Sequence, residues 1–168
     1  NKLERFDRWA FDGCTSLERI TIPLKDGMIP HDDIFMGCKN LTNVDLVERV
    51  QLQETIAALQ MEDWRSDING EIDSIDQILP NARAGGWDFR YDDEGEKAQA
   101  IRMWIRSVLH KNAHYKAEHQ RILNRAADTL QFALPQDIVM NNVLSFLALP
   151  LYTFEGEGQG IEEDDDKS

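Results

Sequence analysis

Three histidines, at positions 110, 114 and 119, have the spacing that comes nearest to a metal site in this sequence. His110 and His114 are at i and i+4, so on a helix they share a face and could hold one zinc ion between them. No cysteine lies nearby, and Glu118 does not stand where the H-E-x-x-H arrangement needs an acid. We therefore predict no metal site and interpret these histidines as solvated or as part of a helix seam.

The other acid-rich or nucleophile-bearing stretches do not form a recognisable catalytic pattern. The acids at 92–94 and 96 lack the alternating ligand spacing and the turn glycine of a calcium-binding loop. The sequence contains no glycine-rich phosphate loop and no G-x-S-x-G, and neither cysteine has a histidine and a third residue spaced as in a triad. We expect a protein that is not an enzyme and uses no cofactor.

The net charge of the chain argues against a nucleic-acid partner. The 168 residues carry a net charge of −13, with acids concentrated in 50–96 and 155–168 and an excess of bases in 97–154. So acidic a chain is a poor candidate for nucleic-acid binding. No apolar run has the length of a membrane span, and no signal-peptide pattern is visible. Two cysteines are too few for a secreted disulfide framework, which favours an intracellular location without fixing the compartment.

The chain contains two consecutive copies of one apolar pattern. The first copy runs from Phe11 to Ile22 and the second from Phe35 to Leu46, and Gly13 and Cys14 recur as Gly37 and Cys38. A fixed period of this length is typical of solenoid proteins. Equivalent residues of adjacent coils stack, so we expect Cys14 and Cys38 to be neighbours in an internal ladder, as buried thiols or, alternatively, as a disulfide.

Each copy ends in a short predicted strand, near residues 19–23 and 43–47. Because strand side chains alternate, Ile20, Ile22, Val44 and Leu46 should point inward. The outward positions are Arg19, Thr21, Asn43 and Asp45. They can vary without disturbing the core, so we interpret these four residues as candidate contacts for a protein partner.

The pattern Phe-x-x-Cys-x-x-Leu-x-x-Ile-x-Ile resembles leucine-rich repeats of the BspA-like class, and Pro23 after the first strand also fits. Val47 departs from that class at the equivalent place. The resemblance covers positions 11–46 and implies a solenoid with a non-catalytic binding role. Two coils are too few to stand alone, so we expect further repeats upstream and a helical cap downstream.

Helical periodicity replaces the strand pattern after residue 47. We predict one helix over about 48–79, bent at Gly70 and stopped by Pro80, with acidic outer faces. A heptad seam then predicts a second, basic helix over about 96–131. The two should form an antiparallel hairpin with complementary charges, and a second seam row leaves a homodimer through the long helices open. In the loop at 80–95, Trp87 and Phe89 are possible partner anchors.

A third helix is predicted over about 135–148, beginning at Pro135 and ending before Pro150, and an acidic, glycine-rich tail over 151–168 is expected to be disordered. The stretches 133–139 and 143–147 and the Tyr-Thr-Phe-Glu-Gly-Glu run resemble the C-terminal helical part of repeat-bearing proteins from single-celled algae. Residues 134–150 are also similar to the opening helix of an F-box, which implies a ubiquitin-ligase adaptor as an alternative function.

Taken together, the sequence predicts an α+β protein. Residues 1–47 should form the end of a leucine-rich-repeat solenoid, residues 48–150 a helical domain that caps it, and residues 151–168 a tail. The predicted function is that of a protein-interaction module or scaffold, with no nucleic-acid partner and no membrane span.

Overall fold

The structure is a computed structural model that describes residues 3–58, 61–86 and 95–131, together with 134, 135 and 138. It is an α+β fold in which a two-stranded sheet precedes the helices. The strands are β1 (Arg19–Ile22) and β2 (Asn43–Leu46), and the helices are α1 (Arg49–Ala58), α2 (Glu62–Asp73), α3 (Ile75–Ile78) and α4 (Glu96–Gln131). Short 3-10 helices occupy Asp32–Phe35 and Leu79–Asn81.

The two sequence copies lie directly on one another. Strands β1 and β2 pair in parallel with equivalent residues opposite each other, so that Arg19 is opposite Asn43. The pairing continues outside the strands, where the Phe11 N–H donates to the Ile34 carbonyl at 3.0 Å. The rings of Phe11 and Phe35 stack with their centroids 5.3 Å apart. The stacking of equivalent residues is therefore present, but the described residues contain only two strands and do not show a longer solenoid.

The two copies differ in how completely they are buried. In the second copy Phe35, Cys38 and Leu41 are buried, whereas Phe11 and Leu17 of the first copy are only partly buried. Both cysteines are free, and Cys14 is exposed, so the expectation of two thiols in a shared dry interior is wrong for Cys14. The reason is that β1 has no strand partner on its outer edge within the described part of the chain.

The first predicted helix is divided into pieces, which corrects the single helix expected over 48–79. Helix α2 begins after Met61, whose backbone is extended (φ −115°, ψ 107°). At Ser74 the helix tightens, because both the hydroxyl and the N–H of this residue bond to the Glu71 carbonyl three residues earlier. Gly70 lies inside α2, which continues to Asp73, and Pro80 lies in the 3-10 turn at Leu79–Asn81.

Helices α2 and α4 pack antiparallel along their apolar seams. The Trp104 indole donates to the Glu71 carbonyl at 2.9 Å, near the end of α2. Farther along α4, the Tyr115 ring stacks on Trp64 with centroids 5.0 Å apart, near the start of α2. Between these contacts the core is formed by isoleucines and valine, at positions 68, 72, 101, 105 and 108.

Helix α4 is also tied to the repeat segment, through polar contacts that the sequence did not predict. The Arg102 guanidinium donates to the Ile29 carbonyl at 2.7 Å and to Asp32 at 2.6 Å. Arg106 pairs with Asp26 at 3.0 Å. The acidic helix beside α4 was expected to neutralise its bases, and for these two arginines that expectation is wrong. Successive residues of a helix point in different directions around its axis. Arg102 and Arg106 therefore lie on the side of α4 that faces the repeats, and not on the side that faces α2.

Within the described ranges, no helix combines the length and the apolar composition that crossing a bilayer requires. The predicted third helix, apart from Leu134, Pro135 and Ile138, lies outside the described residues, as does the acidic tail.

The contact between the two copies can be tested with their equivalent glycines. Gly13 and Gly37 both have a positive φ, of 66° and 76°, so alanine at either position meets the same backbone strain. Only at Gly37 would the new Cβ also meet another chain segment, at 3.3 Å from the Gly13 Cα. We expect Gly37→Ala to lower the free energy of unfolding by about 1 kcal/mol or more beyond Gly13→Ala, as measured by urea denaturation. Equal losses would contradict the close stacking.

Candidate functional site

The four outward strand residues come together on one face, as their alternation predicted. We call this surface, formed by Arg19, Thr21, Asn43 and Asp45, the strand face. Arg19 is opposite Asn43 and Thr21 is opposite Asp45 in the register of the sheet. Arg19 and Thr21 are exposed, and Asn43 and Asp45 are partly exposed. The inward residues Ile22, Val44 and Leu46 are buried, so this face can change its chemistry without changing the core.

Charged residues link the strand face to the helices. The Arg19 guanidinium lies 3.1 Å from the Asp45 carboxylate. The second oxygen of Asp45 is 3.7 Å from Arg49, which in turn lies 3.0 Å from Asp73. These four side chains form a charge row of alternating sign that runs from β1 across β2 to α1 and α2. Between 31% and 64% of each side chain is exposed, so the row can exchange its internal pairs for pairs with a partner.

Two members of the charge row were missed by sequence reasoning. Arg49 follows Asp45 by four residues, but this spacing predicts a contact only on a helix, and Asp45 lies in β2. Asp73 is far from Arg49 in the chain, and only the packing of α1 against α2 brings them together. Trp87 and Phe89, the other predicted contacts, lie outside the described residues.

The groups on the strand face can make polar contacts with another surface. The Thr42 hydroxyl and the Asn43 side-chain oxygen are 3.0 Å apart, which orients the amide. The carboxylate of Asp45 is held between two arginines. The arrangement therefore offers hydrogen-bond donors, acceptors and paired charges to another surface.

The histidines of α4 lie in different environments. His110 and His114 are exposed, and the His114 ring contacts Tyr115 edge-on at 5.1 Å. His119 is buried in the seam, and burial lowers the pKa of its imidazole. Glu118 bonds to Arg121 on its own helix. Among the described residues, no three His, Cys, Asp or Glu side chains are grouped so that they could hold a metal ion.

The lysines of α4 at positions 97 and 111 are occupied by internal contacts. The ammonium of Lys97 is buried and donates to the Leu41 and Leu79 carbonyls, and burial lowers its pKa. Lys111 lies 2.9 Å from both Asp67 and Glu71. Its hydrogen bond to Asp67 holds the pKa of that carboxyl below the usual range. These two lysines are therefore not presented to an external polyanion.

The outer side of the first copy is a second exposed surface. We call it the upstream face, and it is formed by the partly buried Phe6, Phe11, Leu17 and Ile20 together with the exposed Cys14. Trp9, half exposed, stands beside these residues in the chain with a positive φ of 57°, which is strained for a bulky side chain. The sequence analysis did not identify Trp9, because the spacing of residues does not show which of them has a strained backbone.

Comparison with protein-family models, with curated proteins and with solved structures finds no match to this chain. Function must therefore be inferred from the surfaces themselves. Of the F-box-like segment 134–150, only Leu134, Pro135 and Ile138 are described, with Leu134 39% and Ile138 41% exposed. The adaptor alternative stays a prediction.

The buried histidine should make stability depend on pH. Because burial lowers the pKa of His119 in the folded chain, the unfolded chain binds a proton more readily. The free energy of unfolding should therefore fall as pH drops below about 6.5, the ordinary histidine pKa. We expect His119→Leu to flatten this fall between about pH 7 and pH 5, where aspartates and glutamates still keep their charge. His110→Asn, at an exposed position, is the control and should leave the slope unchanged.

The charge row should contribute little to stability. For exposed ion pairs such as Arg19–Asp45, we expect a coupling free energy of about 0.2–1 kcal/mol in a double-mutant cycle with Arg19→Ala and Asp45→Ala. Adding salt should reduce this coupling. A coupling of several kcal/mol would mean that the row holds the fold together and is not available to a partner.

Proposed function

We propose that this chain is a non-catalytic protein-recognition module whose partner binds the strand face. The observation that carries the proposal is the in-register pairing of β1 with β2, which places four polar side chains of two strands in one continuous patch. Recognition of a protein surface requires such a patch on a rigid support. The buried ladder beneath it, with Ile22, Val44 and Leu46 nearly inaccessible, supplies that support.

The chemistry of the strand face favours a polar partner with charges of both signs. Arg19 and Asp45 already neutralise each other across the sheet, so neither charge alone selects the sign of a partner. A partner could offer an acidic side chain to Arg19 and a basic side chain to Asp45. The single exposed Arg19–Asp45 ion pair would then be replaced by two ion pairs with the partner. Paired charges at the rim of an interface contribute mainly to association rate and register. Thr21 and Asn43 add hydrogen-bonding groups between them.

We further propose that the two copies are coils of a leucine-rich repeat of the BspA-like class. The support is the pattern of bonds between the copies. The Cys38 thiol donates to the Phe11 carbonyl at 2.9 Å, and the Asn40 amide donates to the Thr15 carbonyl at 2.6 Å. Cys14 occupies in the first copy the place of Cys38 in the second, and its thiol is exposed. The upstream face therefore has the composition needed to receive one more unit of the same kind.

The extra unit can be tested by thiol accessibility. In the isolated chain, Cys14 should react rapidly with iodoacetamide while Cys38 stays protected, as their exposure indicates. In the protein isolated from its natural source, Cys14 should become protected to a similar degree if a further coil lies on the upstream face. Mass spectrometry of the two alkylated peptides separates the sites. Continued rapid alkylation of Cys14 in the natural protein would contradict the presence of a further coil.

The recognition surface can be tested by charge reversal. We expect Arg19→Glu combined with Asn43→Glu to remove specific partners from an affinity capture quantified by mass spectrometry, with losses of tenfold or more. Lys39→Glu, at an exposed position outside the strand face, is the matched control and should retain them. A partner that is captured equally by wild type and both variants does not use this face. Absence of any protein that distinguishes the face variant from the control would overturn the proposal.

A further inference from the structure

The two cysteines of the chain meet at one backbone carbonyl. The Cys38 thiol donates a hydrogen bond to the Phe11 carbonyl at 2.9 Å. The Cys14 N–H donates to the same oxygen at 3.1 Å. Because both donors contact one oxygen, the Cys38 sulfur can be no more than about 6 Å from the Cys14 nitrogen. The sulfur of the buried cysteine therefore lies beside the backbone of the exposed one.

The close packing of the two copies sets the separation of this pair. Immediately before the cysteines, the Gly13 N–H donates to the Met36 carbonyl at 2.8 Å, and a Cβ on Gly37 would lie 3.3 Å from the Gly13 Cα. Paired chain segments lie about 4.8 Å apart. A disulfide requires Cα atoms about 4.4–6.8 Å apart. The backbones of Cys14 and Cys38 are therefore placed for a bridge, which requires only rotation of their side chains.

The two thiols differ in their access to solvent, and this difference gives them different roles. Cys14 is exposed, so a small oxidant in solution reaches it directly. Cys38 is buried, and burial raises the pKa of its thiol, so it reacts poorly with an external oxidant. A sulfur held beside Cys38 is nevertheless within its reach, because proximity raises the effective concentration of the two groups. Oxidation should therefore begin at Cys14 and be completed by Cys38.

We propose that Cys14 and Cys38 are a redox-sensitive pair, which a low-molecular-weight disulfide such as oxidised glutathione converts into a covalent bridge between the two copies. The Cys14 thiolate attacks one sulfur of oxidised glutathione, whose S–S bond breaks, and one glutathione leaves as a thiolate that takes up a proton. Cys38 then loses its proton and attacks the Cys14 sulfur, and the second glutathione leaves in the same way. Two protein thiols are oxidised, and one glutathione disulfide is reduced to two thiols.

The bridge would change the upstream face. It removes the exposed Cys14 thiol from that surface and ties the first copy to the second, which α4 already holds. The inference rests on the stacking of the two copies alone and does not require a partner on the strand face. It also differs from burial of Cys14 under a further coil, because burial leaves both thiol hydrogens in place.

The test is equilibration of the complete chain with mixtures of reduced and oxidised glutathione, followed by acid quenching and mass spectrometry without reduction. We expect wild type to lose two hydrogen atoms and to give a linked pair of peptides that contain Cys14 and Cys38. Cys38→Ser should instead keep one glutathione on Cys14, because no second thiol displaces it. A wild-type chain that keeps glutathione on Cys14, or that forms disulfides only between chains, would overturn the proposal.

A second measurement separates the folded geometry from mere closeness in the chain. We expect the equilibrium constant for the bridge against glutathione to be tenfold or more larger in buffer than in concentrated urea, since the fold holds the two cysteines together. The matched control combines Cys14→Ser with Ser16→Cys, which moves the thiol by two residues to another exposed position. It should lose this advantage, with circular dichroism to check the fold. Equal constants for wild type in buffer and urea, or for wild type and a folded control, would sink the proposal.

Discussion

The structure depends on one constraint, which is that two equivalent chain segments run parallel and in register. Backbone hydrogen bonds set the spacing of paired strands at about 4.8 Å, so equivalent side chains must stack or face solvent together. The stacked rings of Phe11 and Phe35 and the close glycines at 13 and 37 follow from this spacing. The strand face follows from it as well, because the residues between the inward positions form rows on the outside.

The downstream side of the second copy is closed by α4, and cations make the connection. Lys97 gives its buried ammonium to the Leu41 and Leu79 carbonyls, which belong to the second copy and to the turn after α3. The Arg102 guanidinium donates a hydrogen bond to the Ile29 carbonyl. Burial of an ammonium is unfavourable, and the lowered pKa of Lys97 reflects this cost. Buried carbonyls without a hydrogen-bond donor would also be unfavourable. The Lys97 ammonium supplies a donor to both the Leu41 and the Leu79 carbonyl, which offsets the cost of its own burial.

The sequence predicted the strand pairing and the long helix, which depend on local, periodic patterns. It did not predict which charged side chains form ion pairs between elements. The repeated apolar pattern indicated the pairing of Ile20 with Val44, and the heptad seam indicated a long helix in the region where α4 lies. The division of the first helical segment at Ser74 arises from a side-chain bond that competes with helical geometry, and the apolar stripe passes through it unchanged. The partners of Arg102 and Arg106 depend on the rotation of α4 between two acidic surfaces, and no spacing encodes that rotation. Asp73 in the charge row was missed because its contact with Arg49 depends on the packing of α1 against α2.

The two sides of the repeat segment have unequal roles because one is closed and the other is open. From α4, Lys97 donates to the Leu41 carbonyl and Arg102 to the Ile29 carbonyl, and Phe35, Cys38 and Leu41 are inaccessible to solvent. On the upstream side, Phe11 and Leu17 keep part of their surface exposed, and the outer edge of β1 is unpaired within the described chain. A parallel coil can be added only where an edge and an apolar face are both available. Any further unit of this pattern must therefore join through Phe11, Cys14 and Leu17, and the helical region fixes the direction in which such an array can extend.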